Sequence, residues 1–446
     1  MKRSILAGLL ACLLMISLAV GCGAPQESLP ETAAETRTTA KATEKPDESA
    51  GPTAPDTDPA ETVTTTQAAE PDSEPAETVV TTAAAPETTE AVPETTAAEA
   101  DLLEELLMKM TLEEKVAQML VVTPETLTGR DSYLTKMDEA FSAAYDRLPV
   151  GGVLLMGGNL KNPEQTRTLL EALQDLSRER TGLPLFLCVD EEGGSVARIS
   201  GNPAFGVPKI PAVSKVQDAE TARELGRTMG AYLRDLGFNV DFAPDADVLT
   251  NPENRVVRDR SFGSDPALVT ELAEALAEGL LEEGVLPCWK HFPGHGGTAE
   301  DSHKGFAVLR LDPDALTESP ELRPFLYAAE RGMPMLMTGH LTVPELDPEL
   351  PASLSPALLA LLRGQERNYD GLLITDALGM GAITERFGQG EAAVLAVLAG
   401  NDLLLAPEDP ETAWRAILEA VRDGTITEER IDESVYRILR AKNGLS

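Results

Sequence analysis

"VLPCWKHFPGHGGTAEDSH", residues 285–303, is an apolar run that gives way to a lysine–histidine pair and then to a glycine-rich segment. Glycine and proline are packed between His291, His295 and His303, so residues 290–303 are expected to form a loop rather than a regular helix or strand. The chain has four histidines and three of them sit here; the fourth is His340. The stretch therefore reads as a buried strand that hands ionisable groups to a loop at its C-terminal end. Whether that is an isolated event or a repeated one decides the fold.

It is repeated. Comparable apolar runs occur at "KVAQMLVV" (from 115), "GGVLLMG" (from 151), "PLFLCVDEEGG" (from 184), "FNVDFAPDADV" (from 238), "PMLMTGHLTV" (from 334), "GLLITDALGM" (from 371) and "DLLLAP" (from 402). Between most of them lie stretches of helical period: "DAETARELGRTMGAYLRDLG" sets Leu225, Met229, Leu233 and Leu236 on one face. Thr111 followed by Glu114 fits a capping box that opens a helix. Strand alternating with helix implies a parallel sheet covered by helices. Eight such units suit a (β/α)8 TIM-type barrel better than an open doubly wound sheet, and the first glycine-rich turn lacks a dinucleotide-binding pattern. Several runs end in polar or charged residues, namely Asp190, Asp247, Lys290 with His291, His340 and Asp376. In a barrel, such residues converge on the mouth where active sites are built.

The barrel is expected over residues 101–446. Residues 1–21 read as a signal peptide, with Lys2 and Arg3 ahead of a short apolar run. The ending Ala19-Val20-Gly21-Cys22 resembles a bacterial lipobox, which implies lipidation of Cys22 and attachment to the outer face of a membrane. Residues 22–100 are rich in Thr, Ala, Pro and Glu and contain no aromatic residue. Such a segment buries too little apolar surface to offset its ordering entropy, so it is expected to be a disordered tether, with a wall-binding module as the alternative. A formal net charge of −37 argues against a nucleic-acid partner. Cys188 and Cys288 lie in apolar runs and are expected to be buried free thiols.

The chemistry follows from the mouth. Asp301 and His303 are one residue apart, and a carboxylate beside an imidazole orients the ring and favours its charged form. Such a histidine can give and take a proton near neutral pH. Asp376, at the end of "LLITD", is either a paired structural carboxylate or a functional one. A carboxylate nucleophile facing a proton donor is the arrangement of a retaining glycosidase, in which the donor is ordinarily a second carboxylic acid. Asp190 and Arg198 flank a glycine pair, and Arg258 and Arg260 stand beside Ser261 and Phe262; these are candidate substrate contacts. Two other classes remain open. A metal-dependent hydrolase would use His291, His295, His303, His340 and Asp376, although Phe-Pro-Gly between His291 and His295 precludes a helical zinc motif. A non-catalytic sugar-binding protein is the other. No cofactor or metal is expected.

"DEEGGSVAR", "FNVDFAPDADV", "DRSFG", "KHFPGHGGTAEDSH" and "ITDALGMGAI", in that order, resemble glycoside hydrolase family 3, and within it the bacterial β-N-acetylhexosaminidases. The resemblance implies a barrel that removes terminal β-linked N-acetylglucosamine with retention of configuration. It places Asp376 at the nucleophile, His303 at the general acid/base and Asp301 as its dyad partner. It places Asp190, Arg198, Arg260, Lys290 and His291 at sugar-binding positions. Phosphorolysis, or action on β-glucosides, is the alternative within the same family. Glu191 stands where the family often has glutamine and is expected to alter the charge beside the sugar; Gly297 stands where a polar residue is common.

Overall fold

The computed structural model describes residues 97–299 and 307–445. The expected signal peptide, Cys22, most of the tether, Asp301 and His303 lie outside these residues.

Eight short strands form the centre: β1 (Leu120–Val122), β2 (Gly152–Leu154), β3 (Phe186–Val189), β4 (Val240–Asp241), β5 (Leu286–Phe292), β6 (Met335–Thr338), β7 (Leu372–Thr375) and β8 (Leu404–Leu405). Each falls in one of the eight apolar runs. All pairings are parallel, and neighbours in sequence are neighbours in the sheet. β1 also pairs with β8, Leu120 opposite Leu404. A bridge between Ile374 and Leu403 joins the last two strands and closes the ring. Strands such as Phe186–Val189 and Leu372–Thr375 are buried along their whole length, as parallel strands covered on both faces must be.

Helices α1 (Glu139–Arg147), α2 (Pro163–Thr181), α3 (Ala219–Leu236), α4 (Pro266–Glu282), α5 (Arg323–Glu330), α6 (Pro356–Arg363), α7 (Gln389–Ala399) and α8 (Pro410–Arg422) follow the strands in turn. The capping box at Thr111 is present, with its hydroxyl accepting from the Glu114 N–H and the Glu114 carboxylate accepting from the Thr111 N–H. α3 buries Met229, Leu233 and Leu236 as its periodicity requires. It meets α4 at a backbone-to-backbone crossing. A Cβ on Gly226 would stand 2.1 Å from the Leu276 carbonyl oxygen, and one on Gly279 would stand 2.2 Å from that of Arg223. Only glycine allows this approach.

A ninth helix, α9 (Glu428–Asn443), packs against the two leading helices, Ala97–Lys109 and Leu112–Gln118. The first of these begins four residues ahead of the boundary expected at 101. The Lys442 ammonium enters the floor of the barrel, donating to Gln118 Oε1 at 2.7 Å and lying 5.0 Å from the centre of the Phe186 ring, at the start of β3. Cys188 and Cys288 are buried and free.

Candidate active site

β5 runs through Lys290 and His291 to Phe292, three residues into the stretch expected to be loop. The strand thus carries both side chains to the mouth, with a cis peptide joining Lys290 to His291 and a shift of register against β6 between Trp289 and Phe292, and the turn starts after them. Proline at 293 and a 3-10 turn at His295–Gly297 then take the chain off the sheet.

The Lys290 ammonium is buried and donates to Asp190 Oδ1 at 2.9 Å, and it pairs with Glu192 Oε1 at 2.6 Å. Asp190 and Glu192 are two residues apart on extended chain, so both face the same way. Glu192 is also gripped by Arg260, with Nε at 2.6 Å from Oε2 and Nη2 at 2.9 Å from Oε1. Burial pushes the Glu192 carboxyl up, but the charges of Lys290 and Arg260 overcome it and hold it at about 2. Burial likewise opposes the charge on Lys290, and Glu192 and Asp190 outweigh it, so the lysine stays protonated. Arg260 reaches Asp245 Oδ2 at 3.3 Å, and Arg198 reaches Asp190 Oδ2 at 3.9 Å. Asp190, Arg198, Arg260, Lys290 and His291 are therefore one connected group.

His291 is held in a single tautomer. Its Nδ1 donates to Asp247 Oδ2 at 2.8 Å, which leaves Nε2 as an acceptor, 3.4 Å from Arg260 Nη2. Burial and the Arg260 guanidinium push this imidazole down to about 4, so it is neutral where most enzymes work. The Asp247 Oδ1 accepts the backbone N–H groups of His291 and His295, at 3.2 and 2.6 Å. The His295 ring contacts Thr298 Oγ1 at 2.8 Å through Nδ1, and its carbonyl accepts from Asn254 Nδ2 at 2.8 Å. His295 therefore shapes the turn.

Asp376 sits one residue beyond β7, half-buried. Its Oδ1 accepts the Ala377 N–H at 2.7 Å and its own N–H donates to the Thr338 carbonyl. Burial pushes the carboxyl up, while the imidazoles of His340 and His291, the Ala377 N–H and the Lys290 ammonium leave it below the ordinary aspartate value. His340 Nε2 lies 2.9 Å from the Ala377 carbonyl oxygen and its Nδ1 lies 2.8 Å from Ser353 Oγ, so this ring braces the backbone beside Asp376. Arg258 is exposed and makes no hydrogen bond or ion pair with this group.

Among the described residues, ligand atoms of Asp245, Asp247 and His291 lie close enough to hold a cation. Their charge is already met: Arg260 stands against Asp245, and the Asp247 oxygens are taken by three N–H donors. Of the described residues in the metal alternative, only His291 belongs to this cluster.

Glu191 departs from expectation. It is fully buried, and its oxygens accept from the Ile199 N–H at 2.7 Å, the Ser200 N–H at 2.8 Å and the Tyr232 hydroxyl at 2.8 Å. It fastens the loop that carries Arg198 to α3 and does not present its charge to the mouth, because odd and even residues of extended chain point oppositely. Sequence reasoning missed Glu192 and Asp245, and took Asp247 only as a strand end. The signal was there: "DEE" and "DAD" each place two acids at the two-residue spacing that shares one face.

The family model described as glycosyl hydrolase family 3 N terminal domain matches residues 111–441. The chain is 36% identical over 328 residues to beta-hexosaminidase LpqI of Mycobacterium tuberculosis, covering 72% of this chain and 84% of that one. It is 33% identical over 337 residues to beta-hexosaminidase A of Pseudoalteromonas piscicida, covering 70% of this chain but only 56% of that relative. A solved family 3 beta-N-acetylglucosaminidase from Paenibacillus superposes with a TM-score of 0.70 at 38% identity, over 75% of this chain and 63% of that one. An eight-stranded parallel barrel, a mouth of buried paired charges and a family match across nearly all of the described residues agree: the chain belongs to glycosyl hydrolase family 3.

Proposed function

We propose that this chain is a retaining exo-β-N-acetylhexosaminidase that hydrolyses terminal β-linked N-acetylglucosamine. Asp376 attacks the anomeric carbon as the bond to the leaving oxygen breaks. His303, protonated and oriented by Asp301, gives its proton to that oxygen. In the second step His303 takes a proton from water, the water oxygen attacks the same carbon, and the aspartyl ester is released. Lys290, Asp190, Arg198, Arg260 and His291 hold the sugar hydroxyls. The observation that carries this reading is Asp376 itself: a carboxylate at a strand end, kept ionised despite burial and steadied on one oxygen by a backbone N–H. Such a group is prepared to act as a nucleophile.

Replacing Asp376 with alanine is expected to lower turnover of an aryl N-acetyl-β-glucosaminide by at least about a thousandfold with the fold intact. Substantial residual turnover would reject the assignment. Mass spectrometry of the product in phosphate and in phosphate-free buffer separates hydrolysis from phosphorolysis. The enzyme is further proposed to act on cell-wall fragments from the outer face of a membrane, held there by lipid on Cys22 and the tether of residues 22–100. Cys22→Ala is expected to move the protein from the membrane fraction to the soluble one.

A further inference from the structure

Tyr133 is among the few large apolar side chains left open, at 55% exposure. It lies on the loop between β1 and α1, at the same end of the barrel as Asp190 and Asp376. The loop is not slack. Leu134 is buried beneath it, and the Leu134 N–H donates to Glu125 Oε1 at 2.9 Å. Asn159 Nδ2 donates to the same oxygen at 2.9 Å and to the Leu134 carbonyl at 3.0 Å. Gln165 Nε2 donates to the Thr135 carbonyl at 2.6 Å, and Arg130 Nη2 donates to Asp138 at 3.0 Å. An exposed ring at the centre of a loop fastened on both sides is held in place to be exposed.

What the ring rests on gives it a direction. A Cβ on Gly158 would fall 2.2 Å from the tyrosine ring, so the ring lies directly on glycine backbone just beyond β2. The preceding Gly157 runs beside Arg198, whose Cδ is 3.8 Å from where a Cβ would be. Arg198 in turn reaches Asp190, and Asp190 reaches Lys290. The Arg198 Nε is buried and has no hydrogen-bond partner among the described residues. Tyr133, the two glycines, Arg198 and Asp190 thus form a continuous strip that runs from an aromatic face to the paired charges of the sugar pocket.

We infer that this strip is the binding site for the second sugar, the one that leaves, with Tyr133 as its stacking platform. The inference rests on the glycosidase reading above. A β-linked pyranose carries its substituents around the rim and its axial C–H groups on its two faces, so each face is apolar and slightly positive. The face of an aromatic ring is electron-rich, and the two are complementary. The glycines keep the strip shallow enough for a ring to lie on it, and the part-exposed Arg198 guanidinium can donate to a hydroxyl or an amide carbonyl at the junction of the two sugars. The ligand class is a β-linked N-acetylglucosamine disaccharide or a longer chain of the same kind.

The test compares two substrates of the intact protein: the β-1,4-linked N-acetylglucosamine disaccharide, and methyl N-acetyl-β-glucosaminide, whose leaving group is too small to reach Tyr133. Tyr133→Ala is expected to raise KM for the disaccharide about five- to tenfold and to leave kcat/KM for the methyl glycoside unchanged. Tyr133→Phe, which keeps the ring, is expected to behave as the unaltered protein on both. Equal losses on both substrates, or no loss on the disaccharide, would overturn the inference while leaving the glycosidase reading standing. If the unaltered protein cleaves neither substrate, the reading beneath it falls and this inference falls with it.

Discussion

Glu192 is buried and faces two cations, so its charge is what allows Lys290 and Arg260 to sit side by side. Glu192→Gln keeps the shape but removes that charge, leaving two buried cations to repel each other. Breaking one partner of a buried ion pair is costly, and the isosteric amide softens the loss to about 2 kcal/mol. Thermal unfolding should show the drop, and KM for an N-acetylglucosaminide should rise more than kcat falls, because the sugar-holding groups shift while Asp376 does not. Unchanged stability would mean that the carboxylate is not needed to balance the pair. Individual residues were legible where a polar group ended an apolar run: Asp190, Lys290, His291 and Asp376 all stand at the mouth. Glu192 was harder to see because a run of acids in a soluble, acidic chain ordinarily signals a solvated surface. Only the fold reveals that Lys290, from a distant strand, arrives beside it. Glu191 was misread for the complementary reason, since sequence places it next to Asp190 while the pleat sends it to the other side.

The elements themselves were legible because their periods differ. Eight mainly apolar runs lack the strict alternation of surface strands, and α3 shows its buried stripe in the spacing of Met229, Leu233 and Leu236. What periodicity does not report is how closely two helices approach, because that depends on residues of both. Gly226 and Gly279 sit in unremarkable surroundings in the sequence, yet they set the α3–α4 distance. Gly226→Ala places a methyl group where the Leu276 carbonyl oxygen stands, so the helices must part. The expected cost is about 2–3 kcal/mol, read as a lower midpoint in urea. Since both helices lie outside the barrel wall, KM for the sugar should hardly move. A large rise in KM with unchanged stability would show that the crossing acts on the mouth instead.

Over the whole molecule, the barrel is sealed at opposite ends by different chemistry. The mouth holds charges balanced in pairs, whereas the floor holds Lys442 against an amide oxygen and an aromatic face. Burial pushes this ammonium down to about 7. In the unfolded chain it would keep its proton to about pH 10.4. Between those limits the unfolded state binds one more proton than the folded state, so this group makes stability rise with pH, by up to about 1.4 kcal/mol per unit. Below pH 7 the lysine is charged in both states and contributes no slope. Lys442→Met should therefore flatten the rise of Tm between pH 7 and 10 relative to the unaltered protein, by about 2 °C per pH unit. Parallel Tm curves for the two proteins would refute the shift. This residue was not legible: a lysine in the last turn of an amphipathic helix is ordinarily read as a solvated cation that complements the helix dipole. The barrel itself was legible to the strand, because eight alternations leave few other closed arrangements.

α9 lies against the two leading helices and sends Lys442 under the start of β3. The polypeptide therefore enters and leaves the barrel at neighbouring points on the side remote from the sugar. A glycine-serine bridge from the end of α9 back to the leading helices it packs against would turn the backbone into a loop without a break. New ends could then be cut in an exposed turn such as the one after α8. A circular permutant built this way should fold and keep its mouth unobstructed, and a cargo fused at the original ends should leave catalysis untouched.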